Sequence, residues 1–132
     1  MATTTSFTRF KLTLTAAQLK TANSIAIDIP QLAAPGKGFA WSLLMAELRF
    51  FAGSIPFKST TLFIITDTAA IEQMVSGVIL NSYAYSFSKF ISTGSSDTAI
   101  VENKKVTIVS NADSATGDGY GIIYGIARKI KL

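Results

Sequence analysis

The chain has 132 residues, 48% of them hydrophobic and 15% charged, and twelve basic against eight acidic side chains give a formal charge of +4. So apolar and charge-poor a composition excludes intrinsic disorder, and no run of about 18 apolar residues offers a membrane-spanning helix. With no cysteine and no histidine, disulfides, thiolate nucleophiles, iron–sulfur clusters and Ser-His-Asp triads are impossible.

The length suits one domain. Residues 1–6 are polar and threonine-rich and are expected to form a flexible N-terminal arm, leaving 7–132 as a single β-sandwich domain. The start of the chain lacks a basic segment followed by an apolar one, so no signal peptide is expected. Phe7–Thr15 alternates, with Phe10, Leu12 and Leu14 on one face and Arg9, Lys11 and Thr13 on the other, as a half-buried strand does. Ala16–Asn23 has room for one helical turn. Ser24–Ile29 alternates again, with Ile25, Ile27 and Ile29 inward, and Pro30 ends it because proline cannot donate to a sheet ladder.

Gln31–Gly38 contains Pro35-Gly36-Lys37-Gly38 and reads as a loop. Phe39–Phe51 has aromatic ends and alternation in Glu47-Leu48-Arg49-Phe50, which predict a long strand, although Leu43–Leu48 is made of good helix formers. Gly53–Thr60 is a turn, and Thr61–Thr66 a buried strand. Asp67 is placed as the N-cap of a short helix over Ala69–Val75. Val78–Leu80 and Tyr83–Ile91 read as strands. Thr98–Glu102 and Lys105–Ser110 read as a hairpin about Asn103-Lys104. A loop over Asn111–Asp118 precedes a last strand, Gly119–Lys131. Short strands separated by turns at this spacing predict an all-β antiparallel sandwich, in the form of an eight-stranded jelly roll with one or two helical turns.

Residue types that could carry chemistry are few. Gly117, Gly119, Gly121 and Gly125 match no phosphate-loop spacing and precede a strand, so they read as a turn and as a strand face bare enough to take a large aromatic such as Trp41. Asp113 and Asp118 share a loop, but their spacing is not that of an EF-hand, and loop aspartates commonly cap turns. Glu47 sits in an apolar stretch and is expected to pair with Arg49 or a cross-strand lysine. No catalytic, cofactor-binding or metal-binding residue is predicted, and the chain is expected not to be an enzyme. The scattered basic residues read mainly as solubilising charge, with nucleic acid as a disfavoured partner. Tyr83, Tyr85 and Phe87 on one strand face, with Trp41 and Tyr120, would suit a glycan if exposed.

A domain of this size cannot bury so large an apolar fraction, and exposed apolar patches commonly mark interfaces. Phe50, Phe51, Ile55, Phe57, Val78 and Ile79 are the candidate oligomer interface, and Arg128, Lys129 and Lys131 a candidate tether.

Two stretches resemble small structural proteins of tailed bacteriophages, the virion and head-accessory class. One is Ser24-Ile25-Ala26-Ile27-Asp28-Ile29-Pro30-Gln31-Leu32-Ala33-Ala34-Pro35-Gly36-Lys37-Gly38, an extended strand closed by proline and a small-residue loop. The other is Ala115-Thr116-Gly117-Asp118-Gly119-Tyr120-Gly121-Ile122-Ile123-Tyr124-Gly125-Ile126-Ala127-Arg128-Lys129-Ile130. The final strand departs from that class in carrying glycines where β-branched or charged residues are usual. The resemblance implies a jelly-roll sandwich building a symmetric part of a virion, such as a capsid decoration, head fibre or tail component. Its implied partners are copies of itself in a homotrimer and other virion proteins, with no membrane and no cofactor. Its implied place is the virion, after synthesis in the host cytoplasm. A carbohydrate- or receptor-binding sandwich is the alternative.

Overall fold

The computed structural model describes residues 6–58, 62–65, 71–73, 86–91 and 102–132. They form β1 (Ser6–Leu14), α1 (Ala16–Lys20), β2 (Ile27–Asp28), a 3-10 turn (Pro30–Leu32), β3 (Phe39–Phe51), β4 (Leu62–Ile65), β5 (Ile71–Gln73), β6 (Ser86–Ile91), β7 (Thr107–Ser110) and β8 (Tyr120–Lys131). One sheet has the order β1-β8-β3-β6 and the other β2-β7-β4-β5. Every pairing is antiparallel. Phe10, Leu14, Ala46, Leu48, Phe50, Ile123 and Ala127 of the first sheet share one buried cluster with Ile27, Leu62, Ile64 and Ile108 of the second. The fold is therefore the all-β antiparallel sandwich that the alternation predicts.

Among the described strands the pairings follow one rule. β1 pairs with β8, β2 with β7, β3 with β6 and β4 with β5, the first with the last and so inward. These pairs follow one another as in an antiparallel ribbon folded over, with the β8–β3 and β7–β4 contacts completing the two sheets.

β1 keeps its predicted faces. Phe10 and Leu14 are buried, while Arg9, Lys11 and Thr13 are exposed. Ser6, assigned to the arm, opens this strand, and residues 1–5 lie outside the described set. β3 is a strand despite its helix-forming middle because both of its edges are paired, with β8 and with β6; tertiary pairing overrides a preference of a few tenths of a kcal/mol per residue. Its register with β8 shifts between Leu43 and Met45. The extra residue resets the alternation. Trp41 and Leu43 before it, and Ala46, Leu48 and Phe50 after it, all reach the core.

Local chemistry sets the connections. Thr15 caps α1 in a capping box: its hydroxyl accepts from the Gln18 amide, and the Gln18 side chain accepts from the Thr15 amide. The turn after α1 continues to Ile25, whose amide donates to the Thr21 carbonyl at 2.7 Å. Ile25 is therefore 64% exposed rather than inward, and β2 is shorter than predicted. The Gly36–Gly38 loop is pinned by Glu102 and Asn103, whose side chains accept from the Gly38 amide at 2.7 Å and the Gly36 amide at 2.9 Å.

Three further expectations change. Residues 71–73, placed in a helix, form β5 against β4. The proposed hairpin of Lys105–Ser110 with Thr98–Glu102 is excluded at Thr107 and Ile108, where β2 and β4 occupy both edges of β7; residues 98–101 lie outside the described set. The aromatic that covers the bare face of β8 at Gly125 is Phe10, not Trp41: a Cβ on Gly125 would overlap the Phe10 ring. Val78–Leu80 and most of the Asp67–Val75 segment lie outside the described residues. Trp41 is buried, and its indole N–H donates to the Ala33 carbonyl at 2.7 Å. As the sole tryptophan it reports the fold: its emission is expected to shift to the red on urea unfolding, in one transition coincident with the loss of β-sheet circular dichroism.

Candidate assembly surfaces

The residues named as an interface separate into two sets. Phe50 and Phe57 are interior, 1% and 0% exposed. Their rings meet edge to face at a centroid distance of 6.1 Å. They fill the monomer core and cannot meet a neighbour. Phe51 and Ile55 remain outside. Phe51 is half-buried and stacks on Tyr120 at 4.9 Å with 15° between the planes. Ile55 is 51% and Tyr120 44% exposed. Val78 and Ile79 fall outside the described residues.

A carboxylate holds this apolar tip in place. Asp118 accepts from the Ile55 amide at 2.8 Å, the Ser54 amide at 3.2 Å and the Ser54 hydroxyl at 2.7 Å. Asp113 does the same for another loop, accepting from the Asn23 and Ser24 amides and the Ser24 hydroxyl. These are turn-capping roles, and no group of metal-ligating side chains forms among the described residues. The hydrogen bonds favour the ionised forms and hold both carboxyls below the usual aspartate value. For Asp118 the Ile55 amide leads, and for Asp113 the Ser24 hydroxyl. A depressed folded-state pKa stabilises the fold above the unfolded value, and that gain is lost as pH falls through the folded value. The melting temperature is therefore expected to fall below about pH 4. Asp118→Asn should lower it at neutral pH and flatten the acid limb; an unchanged acid limb would show that other groups set it.

Arg128, Lys129 and Lys131 do not form a free tether. They lie in β8, in register with β1 or β3. Lys129 places its ammonium 4.6 Å from the Phe39 ring centroid, and the Leu132 amide donates to the Gly38 carbonyl.

The outer face of the β1-β8-β3-β6 sheet was not singled out from sequence. Along β8, residues 121, 123, 125 and 127 are buried, while Ile122, Tyr124, Ile126 and Arg128 are half-buried on the opposite face. The inward positions include Gly121, Gly125 and Ala127, so much of the strand's bulk points out. A groove of about 410 Å³ crosses this face, lined by Arg9, Lys11, Gln31, Met45, Tyr124 and Ile126 among others. Lys11 and Arg49 place their cationic groups 5.3 and 5.5 Å from the Tyr124 ring centroid. Glu47 pairs with Arg49 at 3.0 Å, as expected. A sequence signal for this lies in Gly121–Ala127: three of the four inward positions, Gly121, Gly125 and Ala127, are small, with Ile123 the large exception, while Ile122, Tyr124 and Ile126 on the other face are all large.

No protein-family profile matches the chain, and no curated protein matches it. Solved structures do match. A chain in the capsid of Ralstonia phage GP4 is 16% identical, with a TM-score of 0.50, over 98% of this chain and 85% of that one. A chain of the cyanophage Pam1 capsid asymmetric unit is 11% identical, with a TM-score of 0.42, over 98% and 86%. A Bacillus endospore appendage chain is 13% identical, with a TM-score of 0.38, over 100% and 92%. At 16% identity, the likeness to the Ralstonia phage GP4 capsid chain is one of fold alone.

Proposed function

We propose that the chain is a non-enzymatic structural protein of a bacteriophage virion, assembling as a symmetric oligomer. A capsid decoration, head fibre or tail component fits it, and a homotrimer is the favoured state, its cyclic symmetry closing the interface. The sandwich is read as a jelly roll, because the inward pairing of first with last strand is what two interleaved Greek keys produce. The observation that carries the reading is the tip, where the Phe51–Tyr120 stack and exposed Ile55 form an apolar surface locked by Asp118. A rigid apolar patch loses little side-chain freedom when a neighbour covers it. The phage-capsid likeness of the fold is consistent with this role.

Light scattering coupled to size exclusion tests it. The purified protein is expected to run as a trimer or larger closed ring, and Ile55→Asp to run as a monomer with an unchanged circular dichroism spectrum. A wild-type monomer at micromolar concentration, exposing no dye-binding apolar surface, would overturn the reading. The glycan-binding alternative loses Trp41, which is buried, and retains Tyr120.

A further inference from the structure

We propose that the groove on the outer face of the β1-β8-β3-β6 sheet is a docking site for an extended acidic segment of a partner protein. This goes beyond self-assembly and uses a surface separate from the Phe51–Tyr120 tip. The rim of the groove is cationic. Arg9 and Lys11 are exposed, and among the described residues neither has a carboxylate within ion-pair distance. Glu47, the acid nearest them across β8 by register, is held by Arg49. The field over the groove is therefore positive, and it favours a negative partner.

Spacing defines the kind of partner. Arg9 and Lys11 occupy alternate positions of β1, so their side chains leave the same face roughly 6.5–7 Å apart. Two acidic residues at alternate positions of an extended peptide have the same separation. The rest of the groove is mainly apolar, with Met45, Ile126 and the Tyr124 ring beside the neutral polar Gln31. The three apolar groups suit aliphatic side chains of the same segment, and Gln31 can hydrogen-bond to its backbone. Its volume of about 410 Å³ lies in the range of ligand-binding clefts, about 300–1,000 Å³. Nucleic acid fits less well, since it needs cations repeated along a phosphate track, whereas here the two cations are confined to β1 and the remaining lining is neutral.

The test is fluorescence anisotropy with a labelled eight-residue peptide alternating aspartate and leucine. Its controls are the same peptide with lysine for aspartate and a labelled single-stranded oligonucleotide. The acidic peptide is expected to bind, to weaken with added salt, and to lose about tenfold or more in affinity to the Arg9→Ser/Lys11→Ser double variant. Both positions are exposed, and Trp41 emission checks that the variant folds. Ile126→Asp is expected to abolish binding. No binding of the acidic peptide, equal binding by the double variant, or tighter binding of the oligonucleotide would each overturn the proposal. Light scattering on the same samples reads self-association separately, so the failure of either idea is visible without the other.

Discussion

Gly125→Val is expected to destabilise the protein by about 3 kcal/mol or more, the upper end of what overpacking a core strand does. Gly125 sits in the central strand β8, in register with Phe10 on one side and Ala46 on the other. A Cβ there would overlap the Phe10 ring and lie 2.7 Å from the Met45 carbonyl oxygen. The ring could yield only by leaving a site in which Phe10 is 3% exposed. The carbonyl could yield only by bending β3 at its register shift. The partner change separates these two obstacles. Phe10→Ala alone should cost about 3–5 kcal/mol. If the ring is the main obstacle, Gly125→Ala should cost much less in the Phe10→Ala background than in the wild type, a coupling of about 1 kcal/mol or more. Urea unfolding followed by Trp41 emission measures all four proteins. Additive effects would place the strain at the β3 backbone instead.

Phe57→Ala is expected to cost about 3–5 kcal/mol, a large share of the roughly 5–15 kcal/mol that holds a domain together. The ring has no exposed surface and meets Phe50 edge to face. It also occupies the space that a Cβ on Gly117 would need, and Gly117 is held at a φ of +134°. Phe57 thus locks the turn between β7 and β8 into the core. The same experiment separates a core residue from an interface residue. Loss of a core contact lowers the unfolding midpoint at every protein concentration. Loss of an interface contact removes its concentration dependence. Phe57→Ala should do the first and Ile55→Asp the second.

The long alternating segments were readable because their pattern is local. Phe7–Thr15 shows period two along its length and Phe39–Phe51 shows it in Glu47–Phe50 between aromatic ends, and both are strands close to the predicted limits. What misled was chemistry whose meaning depends on distant partners. Phe50, Phe51, Ile55 and Phe57 are equally apolar on paper. Two are core and two are surface because of where β8 and the Gly117–Gly119 turn pass. The helix placed over 69–75 rested on capping signals, while the β4 edge that turns residues 71–73 into a strand is a tertiary fact. The basic end of the chain looked like a tail because charge suggests solvent; its backbone belongs to the central strand β8, with β3 in register as far as Lys131.

The pairing of β1 with β8 has a consequence in time. Among the described residues, the nine residues of β1 find their only sheet partner at Gly121–Lys129, roughly a hundred residues further along. Ribosomes extend a chain at about 5–20 residues per second, so β1 waits roughly 5–20 s for the strand that completes it. β3 needs the same late strand. Contacts this distant in sequence make folding slow. During that interval two apolar strand faces and their edges stand open beside other nascent copies, and the yield of native protein in a cell becomes a contest between finishing the chain and meeting a neighbour too early.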